Sequence, residues 1–154
     1  MANAIFYQNN AGFKINTTGS TYVDLTDHVT SLTINRAFDE LDVTAMGQLG
    51  HAFIAGLESS SITIDFLNDD SAGQVMSVLN GLVGQLAPFK ICQTASAIGA
   101  LTSTATISAT NPLYTGSILV NKLTPIAGKI GDVAIQNLTF TVSGSMGYAT
   151  TGTW

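Results

Sequence analysis

The sequence predicts a mainly β protein: an antiparallel β-sandwich or partly open barrel with one flanking α-helix and a long early loop. Short runs with an apolar residue at every second position recur along the chain, as in Ile62, Ile64 and Phe66, and this period is typical of strands with one buried face. Clusters of Gly, Asn, Ser and Pro separate the runs at a spacing typical of sandwiches and barrels. One stretch, about residues 71–84, has apolar residues at helical spacing instead.

The predicted helix has signals for its start and its end. Its apolar residues follow the i, i+3, i+4, i+7 pattern and are Ala72, Val75, Met76, Leu79, Leu82 and Val83. Ser71 and Gln74 have the spacing of a capping box, and the acidic pair Asp69 and Asp70 suits the positive end of the helix dipole. Because Pro88 cannot continue a helix, the helix should end before it.

The same kinds of signal place the other elements. Turn clusters at residues 9–12 and 16–20 predict an N-terminal arm or hairpin over residues 1–21. The predicted strands are residues 32–34, 61–66, 88–93, 101–108, 117–121 and 135–142, with turns or tight connections at residues 94–99, 111–116 and 125–132. Residues 144–154 form either a last strand or a tail. The length suits a single domain, residues 1–154.

The connection between the strands at residues 32–34 and 61–66 is the least ordinary part of the chain. Connections in compact domains usually have about 4–6 residues, and much longer ones without a period of their own are normally functional or disordered. This one contains too many apolar residues for a solvated tail: Phe38, Leu41, Val43, Met46, Leu49 and Phe53. Our hypothesis is that it packs on other copies of the same protein.

The overall composition also suggests partners. Charged residues make up 10% of the chain and mean hydropathy is +0.33, whereas soluble domains average about 25% charged residues. A surface so poor in charge suggests that partners cover much of it, although an ordinary β domain with a neutral surface stays open as an alternative. The net charge is −5 and the five basic residues are scattered, which argues against tight binding of nucleic acid.

The sequence gives no sign of secretion or of a membrane span. The N-terminus lacks a basic region followed by an apolar run, and nowhere do about 18 apolar residues occur in succession. We therefore expect synthesis in a cytoplasm and no membrane partner. The single Cys92 cannot form an internal disulfide, and we expect it to be a buried apolar residue.

Candidates for catalysis are few, and we expect no enzymatic activity, no cofactor and no metal. Asp27, His28 and Ser31 are the nearest approach to a catalytic triad, but triads are recognised by geometry rather than by adjacency. A polar residue at the start of a strand explains His28 equally well. A hydrolase stays a remote hypothesis, which loss of activity in His28→Ala would support. The pair Asp69 and Asp70 lacks the spacing of a calcium loop.

Several short motifs resemble, in their order, the major tail tube proteins of long-tailed bacteriophages and prophages, and the related tubes of contractile tails and type VI secretion systems. The resemblance runs from about residue 22 to residue 143. Its motifs are VDLTDHV at residues 23–29, LDVTAMG at 41–47, GL at 56–57 before SITIDF at 61–66, NPLY at 111–114, PIAGKIGD at 125–132 and LTFTV at 138–142. The Ala- and Thr-rich segment after Pro88 departs from the family pattern, so the resemblance says little about strand pairing there.

The resemblance implies a structural role in a virion. It implies a β-sandwich with one helix, made in the host bacterial cytoplasm, whose copies form hexameric rings that stack into a hollow tube. DNA would pass through the lumen without tight binding, and other tail proteins (tape measure, tail terminator, tail tip) would be partners. The long loop would reach a neighbouring ring or subunit through Phe38, Leu41, Asp42, Val43, Thr44, Met46, Gly47 and Phe53.

A monomeric ligand- or carbohydrate-binding β-sandwich is the alternative from a different class. Such modules need exposed aromatic residues or convergent polar groups around a site. The single tryptophan, Trp154, is the last residue of the sequence, which argues against this alternative. A monomeric elution profile at high protein concentration would favour it.

Overall fold

The structure is a computed structural model that describes residues 10–96 and 102–154. These residues form strands and one α-helix, which confirms the predicted mainly β class. In chain order the elements are β1 (Gly12–Thr18), β2 (Thr21–Asp24), a 3-10 turn (Thr26–His28), β3 (Val29–Asn35), β4 (Phe38–Asp42), β5 (Phe53–Glu58), β6 (Ser61–Leu67), α1 (Val75–Leu82), β7 (Leu86–Cys92), β8 (Leu113–Leu119) and β9 (Ile135–Ala149).

Seven of the strands form one antiparallel sheet in the order β2-β1-β7-β8-β9-β6-β3. The long strand β9 belongs to both halves of this sheet, because residues 135–141 pair with β6 and residues 142–149 pair with β8. Gly144, with a φ of 80°, lies in the irregular part of the β8–β9 pairing, between Ser143 and Gly147. The described residues form no closed barrel, and the arrangement is consistent with the predicted sandwich.

The core lies between the two halves of the sheet. Alternate residues of each strand are buried, as the sequence pattern predicts. The inner residues include Phe13, Ile15, Phe89 and Ile91 from one half and Ile62, Ile64, Phe66, Leu138 and Phe140 from the other. The rings of Phe13 and Phe66 meet edge to face across the core, with centroids 5.7 Å apart. Helix α1 adds its own buried face to this core. We call the seven-stranded sheet with α1 the sandwich.

The helix is shorter than predicted, and its predicted capping box is wrong. It begins at Val75, and the side chain of Gln74 does not cap it. The carbonyl of Ser71 accepts a hydrogen bond from the Gln74 amide at 3.0 Å, so these residues form a turn. Gly73 lies within that turn with a φ of 79°, a conformation that an α-helix does not contain. The helix therefore starts only after this glycine.

One predicted strand boundary and one predicted strand are also wrong. Strand β8 begins at Leu113, inside the segment predicted as a turn. Residues 102–108 form isolated bridges instead of the predicted strand, and Leu101 lies outside the described residues. Side chains bind backbone groups that a strand ladder would use: Asp24 accepts from the Ser103 amide, Ser96 from the Thr104 amide, and Asn111 donates to the Thr106 carbonyl.

The two ends of the described chain pack on the sandwich. The β1–β2 hairpin turns at Gly19 and overlaps the predicted N-terminal arm or hairpin, of which residues 1–9 lie outside the described residues. Strand β9 continues past residue 144 to Ala149, and the indole of Trp154 donates to the Ser103 hydroxyl at 2.8 Å. The turn predicted at residues 94–99 is described only to residue 96. The single domain over residues 1–154 stays a prediction.

The long early loop contains a β-hairpin, which the sequence pattern did not predict. Strands β4 and β5 pair with each other as a separate two-stranded sheet. Apolar side chains lie on both faces of this hairpin, which hides the alternation that marks a half-buried strand. No helix in the described ranges is long and apolar enough to cross a lipid bilayer.

Candidate assembly interface

The hairpin of residues 38–58, which we call the ribbon, consists of β4, β5 and a tip of residues 43–52. Leu41 lies opposite Ile54 and Asp42 opposite Phe53 in its ladder. Its strands do not join the seven-stranded sheet. An isolated two-stranded hairpin is marginally stable at best in water, so this ribbon has reason to pack against another surface.

A buried carboxylate holds the base of the ribbon. Glu58 has a side chain that is 5% exposed and lies 3.0 Å from Nε of Arg36. The Ser60 hydroxyl donates to the same carboxylate at 2.8 Å, and the Met146 amide of β9 at 3.2 Å. These hydrogen bonds, led by those of Arg36, lower the pKa of Glu58. These contacts therefore hold the base of the ribbon in a fixed position on the sandwich.

The tip is ordered by its own hydrogen bonds. The carboxylate of Asp42 accepts from the Thr44 amide at 2.8 Å and from the Thr44 hydroxyl, and these bonds lower the pKa of Asp42. His51 Nδ1 lies 3.3 Å from the same carboxylate, and the Ala52 amide donates to the Thr44 hydroxyl at 3.0 Å. Gly47 has a φ of 93° that favours glycine at the apex.

The ribbon exposes large apolar side chains on both faces. Because side chains alternate along a strand, Leu41, Val43 and Ile54 share one face and Phe53 lies on the other, while Leu57 lies in the β-bulge of this ladder. All five are about half exposed or more. Contiguous exposed apolar surface on a protein generally marks an interaction site or an aggregation-prone region. The ribbon therefore has the properties of an interaction surface.

Gly56 keeps the first of these faces close packed. A Cβ atom at Gly56 would lie 3.2 Å from Cγ of Leu41 and 3.1 Å from Cβ of Asp39. The glycine thus lets the Leu41 side chain lie across the neighbouring strand. A larger residue would have to push Leu41 away from this position, which would change the shape of the apolar face.

All eight residues predicted to form the contact loop lie on the ribbon. They are Phe38, Leu41, Asp42, Val43, Thr44, Met46, Gly47 and Phe53. Their contact with another copy stays a prediction. Sequence reasoning missed Ile54 and Leu57, and it missed Ile126 and Ile130, which are exposed in the connection before β9. The large apolar residues near Gly128 and Gly131 could have indicated this second exposed surface.

Asp27, His28 and Ser31, the nearest approach to a catalytic triad in the sequence, do not form one. His28 Nδ1 lies 2.7 Å from a carboxylate oxygen of Asp27, and its Nε2 lies 3.1 Å from one of Asp69. With both ring nitrogens bound to carboxylates, His28 has none left to accept a proton from Ser31. Burial raises the pKa of Cys92 to about 11, which disfavours its reactive thiolate. No three metal-binding side chains cluster in the parts of the chain described.

A cavity of about 430 Å³ opens beside the base of the ribbon. Its lining is mostly apolar and includes Ile34, Ile91 and Met146, with Arg36 and Tyr148 as polar members. The Arg36 side chain is already bound to Glu58. This cavity is the feature that the alternative hypothesis of a ligand-binding module would use.

The fold is similar to that of a chain in a prophage baseplate. That chain belongs to the anti-feeding prophage baseplate, determined by cryo-EM with 6-fold symmetrisation, and it matches this protein with a TM-score of 0.51. The match covers 96% of each chain at 12% sequence identity, so it shows a shared fold. No family model matches the sequence, and no curated protein matches it.

Proposed function

We propose that this protein is a structural subunit of a bacteriophage tail and, within the tail, of its tube. In this proposal its copies assemble into hexameric rings that stack into a conduit for DNA, and other tail proteins close or measure the tube. The observation that carries the proposal is the ribbon, an ordered hairpin with large apolar side chains exposed on both faces. The proposal assigns no catalytic role to any residue.

The similar baseplate chain supports a structural role in a phage-like particle. It comes from an assembly with 6-fold symmetrisation, and a hexameric ring has the same symmetry. The low charge content fits as well, because obligate interfaces typically bury more than about 2,000 Å² and are apolar. Both observations favour an assembled protein over a solitary one.

The outer face of β3, β6 and β9 suits the wall of a DNA conduit. From Ser61 to Asp65 and their partner residues, the side chains that alternation places on this face are polar and include no Lys or Arg: Ser31, Thr33, Asn35, Ser61, Thr63, Asp65, Asn137, Thr139 and Thr141. The apolar pair Leu67 and Ile135 lies at one end of the face. Thr63 and Thr139 share a hydrogen bond across the strands at 3.1 Å. DNA binds proteins mainly through cations that neutralise its phosphates. A face without cations would let DNA slide past.

Met46→Asp tests the proposal directly. Met46 is fully exposed at the ribbon tip, so the substitution should leave the fold intact while placing a charge in an apolar contact. We expect rings or tubes of the wild-type protein in negative-stain electron microscopy and dispersed subunits of the variant, with unchanged circular dichroism. Ser20→Asp adds the same charge in the exposed β1–β2 turn and should still assemble. Tubes of Met46→Asp, or a wild-type protein that stays monomeric, would overturn the proposal.

The cavity beside Arg36 supports the second candidate, a monomeric ligand-binding module. Its volume of about 430 Å³ lies in the usual range for small-molecule sites. Under this candidate, the wild-type protein would elute as a monomer at high concentration, and Tyr148→Ala would weaken binding of a glycan from a screened array. Under the tube proposal, rings form and Tyr148→Ala changes no ligand binding.

A further inference from the structure

The connection between β8 and β9, residues 121–134, forms a second exposed apolar surface, which we call the β8–β9 loop. Ile126, Ile130 and Val133 are its large apolar residues, and all three are mostly exposed. The sequence predicts a tight connection over residues 125–132, but the structure has an open stretch without strand pairing. The loop therefore presents apolar side chains to solvent, as the ribbon does.

The four most exposed large apolar side chains of the described residues are divided equally between these two surfaces. Leu49 is 108% exposed and Met46 105%, both at the ribbon tip. Ile130 is 105% exposed and Ile126 94%, both on the β8–β9 loop. Neither pair makes a contact that would remove it from water within its own subunit. Each pair is therefore available to a partner.

The two surfaces leave the sandwich at opposite ends of β6. The ribbon ends at Glu58, just before the first residue of β6, Ser61. The β8–β9 loop ends where Ile135 pairs with the last residue of β6, Leu67. Seven strand residues span roughly 23 Å. One subunit thus presents one surface at each end of the same strand.

The base of the loop is fixed by a buried amide, as the base of the ribbon is fixed by Glu58. Gln136 is fully buried. Its Oε1 accepts from the Thr124 amide at 3.1 Å, and its Nε2 donates to Oδ1 of Asn68 at 2.6 Å. Both surfaces therefore start from fixed points, which is what a repeated contact between identical subunits requires.

The two basic side chains for which the described residues of the sandwich and the ribbon base provide no partner lie on the loop. Three of the five basic side chains have partners within the sandwich or at the ribbon base: Lys14 with Asp24 at 3.9 Å, Arg36 with Glu58 at 3.0 Å, and Lys90 with the Thr153 carbonyl at 3.0 Å. The other two are Lys122 and Lys129. Lys129 is 82% exposed and lies 3.8 Å from Asp132, its only ion-pair partner among the described residues.

The ribbon has the opposite charge. It contains no Lys or Arg, and Asp39, Glu40 and Asp42 are all exposed on β4. Opposite charges on two apolar surfaces direct which surfaces meet and in which orientation. Two ribbons would repel each other, and so would two loops. The charges thus favour a contact between the ribbon of one copy and the β8–β9 loop of another.

We propose that the ribbon tip of one copy docks on the β8–β9 loop of the next copy in the stack. This inference rests on the proposed tube function and names the receiving surface. A contact between different surfaces at opposite ends of a subunit is heterologous and repeats without closing. Met46 and Leu49 would pack on Ile126 and Ile130, and the ribbon carboxylates would face Lys122 and Lys129.

Disulfide cross-linking between two single-cysteine variants tests the docking. A protein with Met46→Cys is mixed with one carrying Ile130→Cys, assembled and oxidised, and the dimer is measured on a non-reducing gel. Neighbouring sites have effective concentrations near mM, against µM for free subunits, so we expect roughly a thousandfold faster cross-linking than for a non-contacting pair. Thr139→Cys, on the polar face of β9, replaces Ile130→Cys in the matched control. Cys92 is buried and should not react.

Exchange of the charges between the ribbon and the β8–β9 loop provides a second test of the docking. The double variant Asp39→Lys with Glu40→Lys should lose tubes, as should Lys122→Glu with Lys129→Glu. A chain with all four substitutions should form them again. All four side chains are exposed, so the fold should survive, which circular dichroism checks.

The outcomes separate the two proposals. Tubes of wild-type protein without Met46–Ile130 cross-linking above the Thr139 control would overturn the docking and leave the tube function standing. Tubes of the first charge-reversed variant would also count against the docking. A wild-type protein that forms no rings or tubes would overturn both.

Discussion

The sandwich and the ribbon are both antiparallel β-structure rich in apolar residues, and they differ in where those residues point. In the sandwich, Phe66 and Phe140 alternate with polar residues and are fully buried by their own chain. In the ribbon, Leu41 and Phe53 lie on opposite faces and are about half exposed. The difference shows that one chain alone buries the apolar residues of its sandwich but not those of its ribbon.

This comparison separates folding from assembly. Substitutions in the sandwich should change the free energy of unfolding of an isolated subunit, whereas substitutions in the ribbon should change association and leave that free energy nearly constant. Matched residues from the two regions should therefore differ in which of these quantities they change.

The largest difference is expected between two phenylalanines. Phe140→Ala removes a fully buried ring from β9 and should lower the free energy of unfolding by about 3–5 kcal/mol. Phe53→Ala removes an exposed ring from β5 and should lower it by less than about 0.5 kcal/mol, while weakening assembly. Urea denaturation of dilute subunits measures the first quantity and sedimentation the second. Equal losses of stability would mean that the ribbon is part of the folding unit.

The alternation of apolar and polar residues made the strands of the sandwich predictable from the sequence. The ribbon lacks this alternation, so its strands were not predicted. The strands around Ile62 and Leu138 have one buried face, so their pattern predicted both strand and core. Strands β4 and β5 have no buried face within one chain, so no period marked them. The failure at residues 102–108 has another cause: side chains such as Asp24 and Asn111 bind the backbone there, and sequence alone does not show such distant partners.

The candidate site was predictable as a region but not as a shape. Apolar residues such as Met46 in a long connection pointed to an interface, and the structure brings all eight predicted residues onto one hairpin. The β8–β9 loop was missed as an interaction surface because it contains only a few large apolar residues. Ile126 and Ile130 lie among glycines, as residues of an ordinary turn do. Their exposure became evident only once the fold placed them at the opposite end of β6 from the ribbon.

A smaller difference is expected between two glycines. A Cβ atom at Gly12 of β1 would lie 2.5 Å from the indole of Trp154 and 2.8 Å from Sγ of Cys92, so Gly12→Ala should cost about 1–3 kcal/mol. Gly50, in the ribbon tip, has no atom within 4 Å of such a position, and Gly50→Ala should be nearly neutral. Thermal unfolding compares the two variants. In a Trp154→Ala background the cost of Gly12→Ala should shrink; an unchanged cost would contradict the packing described.

The smallest difference is expected between two aspartates, and it depends on pH. Burial raises the pKa of Asp24, but hydrogen bonds from Ser103 and Thr26 outweigh it and lower the pKa overall, while Thr44 lowers that of Asp42. A carboxylate with a lowered pKa stabilises the folded state above its ordinary pKa of about 3.9, and this contribution is lost as pH falls through the lowered value.

Asp24→Asn should therefore flatten the acid limb, which is the dependence of the free energy of unfolding on pH at acidic pH. We expect its slope to fall by up to the equivalent of about one bound proton. Asp42→Asn should leave that limb unchanged, because the exposed ribbon tip can rearrange without unfolding the sandwich. Urea denaturation at a series of pH values below neutrality measures both, and flattening by Asp42→Asn would show that the tip is coupled to the core.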